Sequence, residues 1–379
     1  MPLTAHHGAA VHDGEALHHG AALLVEDGLC AGIVPEDAIP ERAERIAHPV
    51  GTICPGFVDL QVNGGGGVML GAAADAAGLR RIAAAHAALG TAAFLPTLIT
   101  DMPARTRAVA RAVRGALAAG APGIAGLHLE GPHLALARAG AHDPALIRPM
   151  GEADLAFLCE LARTLPALMV TLAPEAVPPE RIAALAGAGA VVSLGHTDAP
   201  YADCVAAARA GARCVTHLFN AMSQLAPRAP GLVGAFLDRP ELSAGIIADG
   251  VHVHPAAVRA AAAARPGGLF LVTDAMAVAG TDLPSFALGG RAVTRAEGRL
   301  TLADGTLAGA DLDMAGAVRT MAGPGGQGLA EAVAMATGRP AAFLPGLPRA
   351  GRLEEGDPFR ALRLDAGGRL AERLGAWDG

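Results

Sequence analysis

From residue 55 onward the chain alternates between two hydrophobic periods. Short apolar runs of strand length occur at Phe57–Asn63, Thr91–Leu98, Ile124–Glu130, Leu168–Leu172, Ala190–His196, Cys214–Phe219, Leu242–Ala248 and Leu269–Thr273. Between them lie Ala/Leu/Arg-rich stretches whose apolar residues recur every three or four positions, the spacing of a helix with one buried face. These stretches predict helices over 76–89, 104–119, 151–164, 179–187, 200–210 and 255–264. The first apolar run is followed by Gly64–Gly67, expected as a loop. Eight apolar runs separated by helical segments fit a (β/α)8 TIM-like barrel; a doubly wound open sheet is the alternative. Polar side chains at the ends of at least six different runs favour the barrel, because only closure brings all those ends to one mouth.

The two ends of the chain read differently. Residues 1–54 are Gly-punctuated short strands, with Gly20–Glu26, a turn at Asp27–Gly28 and Leu29–Val34 forming a hairpin pattern. Strand-and-turn character returns near the C-terminus, through Leu362–Leu370. The expected organisation is a small β-domain from 1–54 plus 346–379, and a barrel over 55–345. Five histidines (His6, His7, His12, His18, His19) crowd the N-terminal segment; they precede the apolar strands and are expected on solvated loops.

Composition narrows the function. The 379 residues are 52% hydrophobic but only 3% aromatic, so the core is aliphatic. The net charge of -7, with both signs interspersed, gives no footprint for nucleic acid or an anionic membrane. With no apolar run of spanning length and no basic leader, the expectation is a cytoplasmic soluble protein. Cys30, Cys54, Cys159, Cys204 and Cys214 form no Cys-x-x-Cys pair and read as reduced, mostly buried thiols. Lysine is absent, which removes Schiff-base and pyridoxal chemistry, Walker-type nucleotide loops and carbamylated-lysine metal bridges.

The chemistry must then come from His, carboxylates, Arg, hydroxyls or a metal. Strand alternation sends His128 and Glu130 to one face, and Gly131-Pro132 stops the strand just after the carboxylate. Taken alone, Glu130 fits a buried salt bridge as well as a metal ligand. His196 and His217 close the fifth and sixth runs, and with Glu130 they make a two-His, one-carboxylate set that suits Zn²⁺ with an open position for water. Asp274 closes the eighth run, placed to take a proton from that water and return it to a leaving amine. Arg228 and His252, if brought to the same mouth, suit an anion such as a phosphate, and His142 could polarise a carbonyl.

These residues stand in a recognisable series. Pro55-Gly-Phe-Val-Asp-Leu-Gln-Val-Asn-Gly64, His128-Leu-Glu-Gly-Pro132, Ser193-Leu-Gly-His196, Thr216-His-Leu-Phe-Asn-Ala-Met222, Ala248-Asp-Gly-Val-His252, Leu271-Val-Thr-Asp274 and Leu307-Ala-Gly309 run in order across nearly the whole chain. The series resembles the N-acetylglucosamine-6-phosphate deacetylase family of the amidohydrolase superfamily. The resemblance implies a metal held by Glu130, His196 and His217, with Asp274 as general base and acid. It implies a sugar phosphate bound by Ala141, Asn220, Ala221, Arg228 and His252, the N-acetyl carbonyl met by His142, and an acetyl pocket at Leu307, Ala308 and Gly309. It also implies a homodimer in which Arg228 or His252 acts across the interface. The reaction would be deacetylation of N-acetylglucosamine 6-phosphate, with the galactosamine epimer as the nearest rival substrate and a catalytically silent sugar-phosphate sensor as the non-enzymatic one. Many amidohydrolases hold a second metal with His-x-His on the first strand; Gln61 and Asn63 stand there instead, so one divalent ion per chain is expected, Zn²⁺ first, with Fe²⁺, Co²⁺ and Mn²⁺ as alternatives. Gln224 and Asp311 depart from the family pattern and are expected to retune the pocket.

Overall fold

The computed structural model describes residues 3–48, 50–72, 74–344 and 350–377. Its centre is one eight-stranded sheet in which each strand pairs with the next in sequence. The strands are β1 (Phe57–Val62), β2 (Thr91–Ile99), β3 (Leu127–Glu130), β4 (Leu168–Leu172), β5 (Val191–Leu194), β6 (Cys214–Val215), β7 (Ser243–Ile246) and β8 (Leu269–Leu271). Every neighbouring pair is parallel. One helix follows each strand in turn: α1 (Ala76–Ala88), α2 (Pro103–Ala118), α3 (Glu152–Thr164), α4 (Pro179–Gly187), α5 (Tyr201–Arg209), α6 (Gly231–Asp238), α7 (Pro255–Ala264) and α8 (Met314–Ala322). All six expected helices are present within a residue or two of their expected ends.

The seam between β8 and β1 is not a regular ladder. Val62 bridges Ala275 in parallel, and Asn63 N–H donates to the Ala275 carbonyl at 2.8 Å. Below that bridge a side chain replaces backbone: the Asp59 carboxylate accepts the Thr273 hydroxyl at 2.5 Å and the Thr273 N–H at 3.3 Å. Burial pushes the Asp59 carboxyl up to about 7, and the hydrogen bonds from Thr273 and Gln61 limit the rise.

Inside the barrel the side chains lie in layers. Val58, Leu60, Leu95, Met169, Cys214 and Phe270 belong to a buried apolar cluster separate from the one shared by outward residues and helices. Above them runs a hydrogen-bonded chain. His128 Nδ1 lies 2.9 Å from the Leu60 carbonyl, so it donates, and its Nε2 accepts the Thr171 hydroxyl at 2.8 Å. Thr171 then accepts from Thr216 at 2.7 Å, and Thr216 from Ser193 at 2.6 Å. Burial holds His128 down to about 4, keeping it neutral in this chain.

Both ends of the chain build the small β-domain. One sheet orders Leu29–Pro35, Ala21–Glu26, Thr4–His7 and Glu44–Ala47; the other orders Leu370–Gly375, Arg360–Leu364, Thr52–Pro55, Ala10–His12 and Leu17–His18. The C-terminal strand Arg360–Leu364 pairs antiparallel with Thr52–Pro55, so the two termini are joined through backbone bonds. The expected boundary at 345–346 lies outside the described residues. All five cysteines are buried free thiols, as expected.

Several expectations need correction. His6, His7, His12 and His18 are not on solvated loops but in strands, and His6 and His12 are buried. The strands carrying them are too short and too mixed to show a period; His6 is covered by His48, stacked at 5.2 Å, and by Phe359 at 4.9 Å. Gly64–Gly67 is not a simple loop: Gly64–Gly65 pairs with Val68–Met69 in a hairpin. A Cβ on Gly64 would lie 2.4 Å from the Val68 carbonyl, so the close approach depends on glycine. Helix α6 was not expected because it is apolar on nearly every face and shows no helical stripe. Also unforeseen is a four-stranded antiparallel excursion between β8 and α8, spanning Ser285–Leu288, Arg291–Ala296, Arg299–Thr301 and Leu307–Ala310.

Burial, then the neighbouring His48, lowers His6 to about 4. The unfolded chain therefore binds a proton that the folded one refuses between pH 6.5 and 4, so this contribution is present above pH 6.5 and lost as pH falls through that window. Urea unfolding at pH 7 and pH 5 should show His6→Phe losing less stability on acidification than wild type, by about 1 kcal/mol after solvent screening. Equal losses would show that His6 does not contribute.

Candidate active site

The C-terminal ends of the barrel strands surround a cavity of about 370 Å³ lined by Glu130, His142, His196, His217, Asn220, Ala221, His252 and Asp274, among others. Glu130 is the last residue of β3, and the other polar groups sit just beyond their strands on unusual backbone. Of seven non-glycine residues with positive φ among the described residues, five belong to this rim: His196 (47°), His217 (31°), Phe219 (78°), Ala221 (49°) and Asp274 (50°). Each costs on the order of 1–3 kcal/mol unless its surroundings hold it, which marks the rim as a place where geometry outranks local preference.

Two overlapping sets of donors meet at Glu130. Glu130, His142 and His196 offer ligand atoms within 4.8 Å of one another. Tighter still, His196 Nε2 and His217 Nε2 are 3.1 Å apart, and both approach Glu130 Oε1, at 3.4 and 3.2 Å. Tautomers decide between the sets. His196 Nδ1 is 2.8 Å from the Arg138 carbonyl, which can only accept, so the proton is on Nδ1 and the Nε2 lone pair faces the centre. His142 is the reverse: its Nδ1 accepts the Thr100 N–H at 3.2 Å, so the neutral ring carries its proton on Nε2. That N–H points toward Glu130 Oε2 from 3.7 Å, too long for a hydrogen bond. His142 is thus a donor into the cavity, whereas Glu130, His196 and His217 fit a divalent cation. The buried His217 Nδ1 has no partner in the described residues.

Electrostatics agree. Burial alone would raise the Glu130 carboxyl, but His196 and His217 outweigh it and hold it well below the usual range. His217 is pulled the other way: burial lowers it, and the Glu130 carboxylate raises it beyond that. Burial, then the neighbouring His196, lowers His142 to about 3, which keeps it neutral. Burial, then the Glu130 charge, pushes Asp274 up to about 6, within reach of proton exchange near neutrality.

The first strand supplies amides. Gln61 Nε2 donates to Glu130 Oε1 at 3.1 Å and to Asp274 Oδ1 at 3.2 Å, and Asn63 Nδ2 donates to the same Asp274 oxygen at 2.7 Å. Neutral N–H groups therefore stand between the two buried carboxylates.

The structure gathers most of the expected site residues on one cavity: Ala141, His142, Asn220, Ala221, His252, Leu307 and Gly309 join Glu130, His196, His217 and Asp274. Ala308 is buried behind the wall, in an apolar cluster with Met276 and Val293. Arg228 lies on an exposed turn, bridged Ala226 to Ala229, and does not line the cavity of its own chain. Neither departing residue lines the wall: Gln224 donates to the carbonyls of Phe219 and Met222 at 2.9 Å, and Asp311 pairs with Arg295 at 2.8 Å. The sequence reading missed Arg138, Ile247, Met276, Leu288 and Thr306 on the wall. Arg138 acts through its carbonyl on His196, and a backbone role leaves no residue-type signal. Leu288 and Thr306 arrive on the unforeseen excursion, which Arg291 ties to the Ala141 carbonyl.

A barrel whose mouth carries a carboxylate, two imidazoles and a second buried carboxylate defines the class of metal-dependent hydrolases. Residues 52–366 match the amidohydrolase family, and the chain belongs to it. It is 42% identical over 363 residues to the N-acetylgalactosamine-6-phosphate deacetylase of Shewanella sp. (strain ANA-3), covering 94% of this chain and 91% of that protein. It is 33% identical over 281 residues to the N-acetylglucosamine-6-phosphate deacetylase of Haemophilus influenzae, covering 73% of each. The crystal structure of N-acetylglucosamine-6-phosphate deacetylase from Pasteurella multocida superposes with a TM-score of 0.92 at 31% identity over 98% of both chains.

Elemental analysis of purified variants tests the donor assignment. His196→Ala and His217→Ala should lose the bound metal, while His142→Ala should keep it. Loss in His142→Ala with retention in His217→Ala would reverse the assignment.

Proposed function

We propose that the chain deacetylates N-acetylglucosamine 6-phosphate, releasing glucosamine 6-phosphate and acetate. The observation that carries this reading is the cation-binding set Glu130, His196 and His217 facing both a proton acceptor, Asp274, and a neutral N–H donor, His142, across one cavity. A divalent ion held by the first three, zinc by ligand preference with Fe²⁺, Co²⁺ or Mn²⁺ as alternatives, supplies Lewis-acid polarisation and makes water nucleophilic near neutral pH. Asp274 takes the proton from the attacking water. His142 Nε2–H meets the amide oxygen as negative charge develops there. Asp274 then delivers its proton to the departing amine nitrogen, which leaves as the C–N bond breaks. Gln61 and Asn63 occupy with N–H groups the place a second cation would need, which supports one metal per chain.

Asn220, Ala221 and His252, which line the cavity, take the sugar phosphate in this reading, and Leu307 and Gly309 line the acetyl end. Arg228, exposed and outside its own cavity, supports a homodimer in which it reaches the partner's site. Among the described residues no helix is long and apolar enough to cross a membrane, and a cytoplasmic setting suits a phosphorylated substrate. The 42% identical relative named for the galactosamine epimer makes N-acetylgalactosamine 6-phosphate the second reading.

Acetate release measured with both epimers decides between them: the account expects the larger kcat/KM with the glucosamine epimer, and the reverse order would install the second reading. Asp274→Asn should lower kcat by about 10³-fold or more while metal content stays unchanged. A variant within threefold of wild type would remove Asp274 from the proton transfers, and a metal-free wild type that binds the sugar phosphate without hydrolysing it would make the chain a sensor.

A further inference from the structure

We infer that Asp249 is a positioning residue that fixes the tautomer of His252 and so decides what that ring offers to substrate; the inference rests on the substrate-binding place given to His252 above. Asp249 follows β7 and lies in the loop that carries His252 to the cavity wall. Its two carboxylate oxygens have separate duties. Oδ1 accepts two backbone N–H groups, those of Val251 and His252, each at 2.8 Å. Oδ2 is left for the ring, and His252 Nδ1 lies 2.6 Å from it. Both side chains are nearly enclosed, 7% and 6% exposed, so water does not compete for this contact.

A carboxylate can only accept, so His252 carries a proton on Nδ1 in every state of the ring. Among the described residues nothing is bonded to Nε2, which in the neutral ring is an acceptor open to a donor on the ligand, a hydroxyl of the sugar rather than the phosphate. Asp249 lines no part of the cavity itself, so it acts through His252. The ionised Asp274 also lies within electrostatic range of His252, on the neighbouring β8 end, and adds to the negative surroundings of the ring.

The two backbone donors make the isosteric change informative. In Asp249→Asn the amide oxygen must stay on Val251 N–H and His252 N–H, because an NH₂ group there would face two donors. The NH₂ group then takes the place of Oδ2 and donates to His252 Nδ1. That drives the proton of the neutral ring to Nε2 and inverts what the cavity meets, with shape almost unchanged. The logic is that of an Asp→Asn change beside a catalytic histidine, where the wrong tautomer and not lost packing is the damage.

The test uses full-length, metal-loaded protein with N-acetylglucosamine 6-phosphate, and measures kinetics and the ¹⁵N shifts of the His252 ring. Wild type should show Nδ1–H and Asp249→Asn should show Nε2–H. KM in Asp249→Asn should rise about tenfold, the worth of one hydrogen bond, with kcat moving less than about threefold. In a His252→Ala background the same Asp249→Asn change should add nothing. An unchanged tautomer, an unchanged KM, or an equal KM rise in both backgrounds overturns the inference. Should wild type turn over neither epimer, the functional reading fails by itself while the ring spectra still decide the tautomer.

Discussion

Two carboxylates, Glu130 and Asp274, are buried within reach of the same Gln61 amide, and the mouth of the barrel is arranged around that fact. Like charges in a dry site repel, and a carboxylate without partners would protonate or unfold the region. The fold answers with unequal surroundings. Glu130 receives two imidazoles and stays ionised, while Asp274 has amide N–H groups that only partly offset burial and the Glu130 charge, and it is pushed up to about 6. In the proposed function one carboxylate is a ligand and the other a proton carrier because their neighbours differ, not their chemistry.

That asymmetry depends on the rest of the barrel. Glu130 is placed by register, since β3 pairs on both sides and Ile99 and Thr171 flank the carboxylate residue. Asp274 is placed by the seam, where Asp59 grips Thr273 just before it. The hydroxyl chain through Thr171, Thr216 and Ser193 lies beneath and fixes His128 as neutral. The strained backbone at His196, His217 and Asp274 is the local cost of aiming side chains inward from strand ends, and it is held by this packing.

The barrel was legible in the sequence because its strands and most of its helices have different hydrophobic periods, and the main site residues because each closes an apolar run. What escaped follows physical lines. Helix α6 is apolar all round and shows no stripe. The His-bearing strands at the N-terminus are too short for a period, so His6 and His12 read as solvated when they are buried. The excursion that brings Leu288 and Thr306 to the wall is half exposed and weakly patterned. Tautomers were beyond reach: that His142 donates while the His196 Nε2 lone pair faces the centre depends on the Thr100 N–H and the Arg138 carbonyl, and backbone groups carry no residue identity.

The central claim is that one divalent ion, held by Glu130, His196 and His217, serves a site whose second position is filled by the amides of Gln61 and Asn63. The direct test is a titration of chelator-stripped protein with Zn²⁺, following acetate release from N-acetylglucosamine 6-phosphate. No release is expected without metal, followed by a linear rise that breaks at one equivalent per chain. Release from the stripped protein, or a break only at two equivalents, would contradict the central claim.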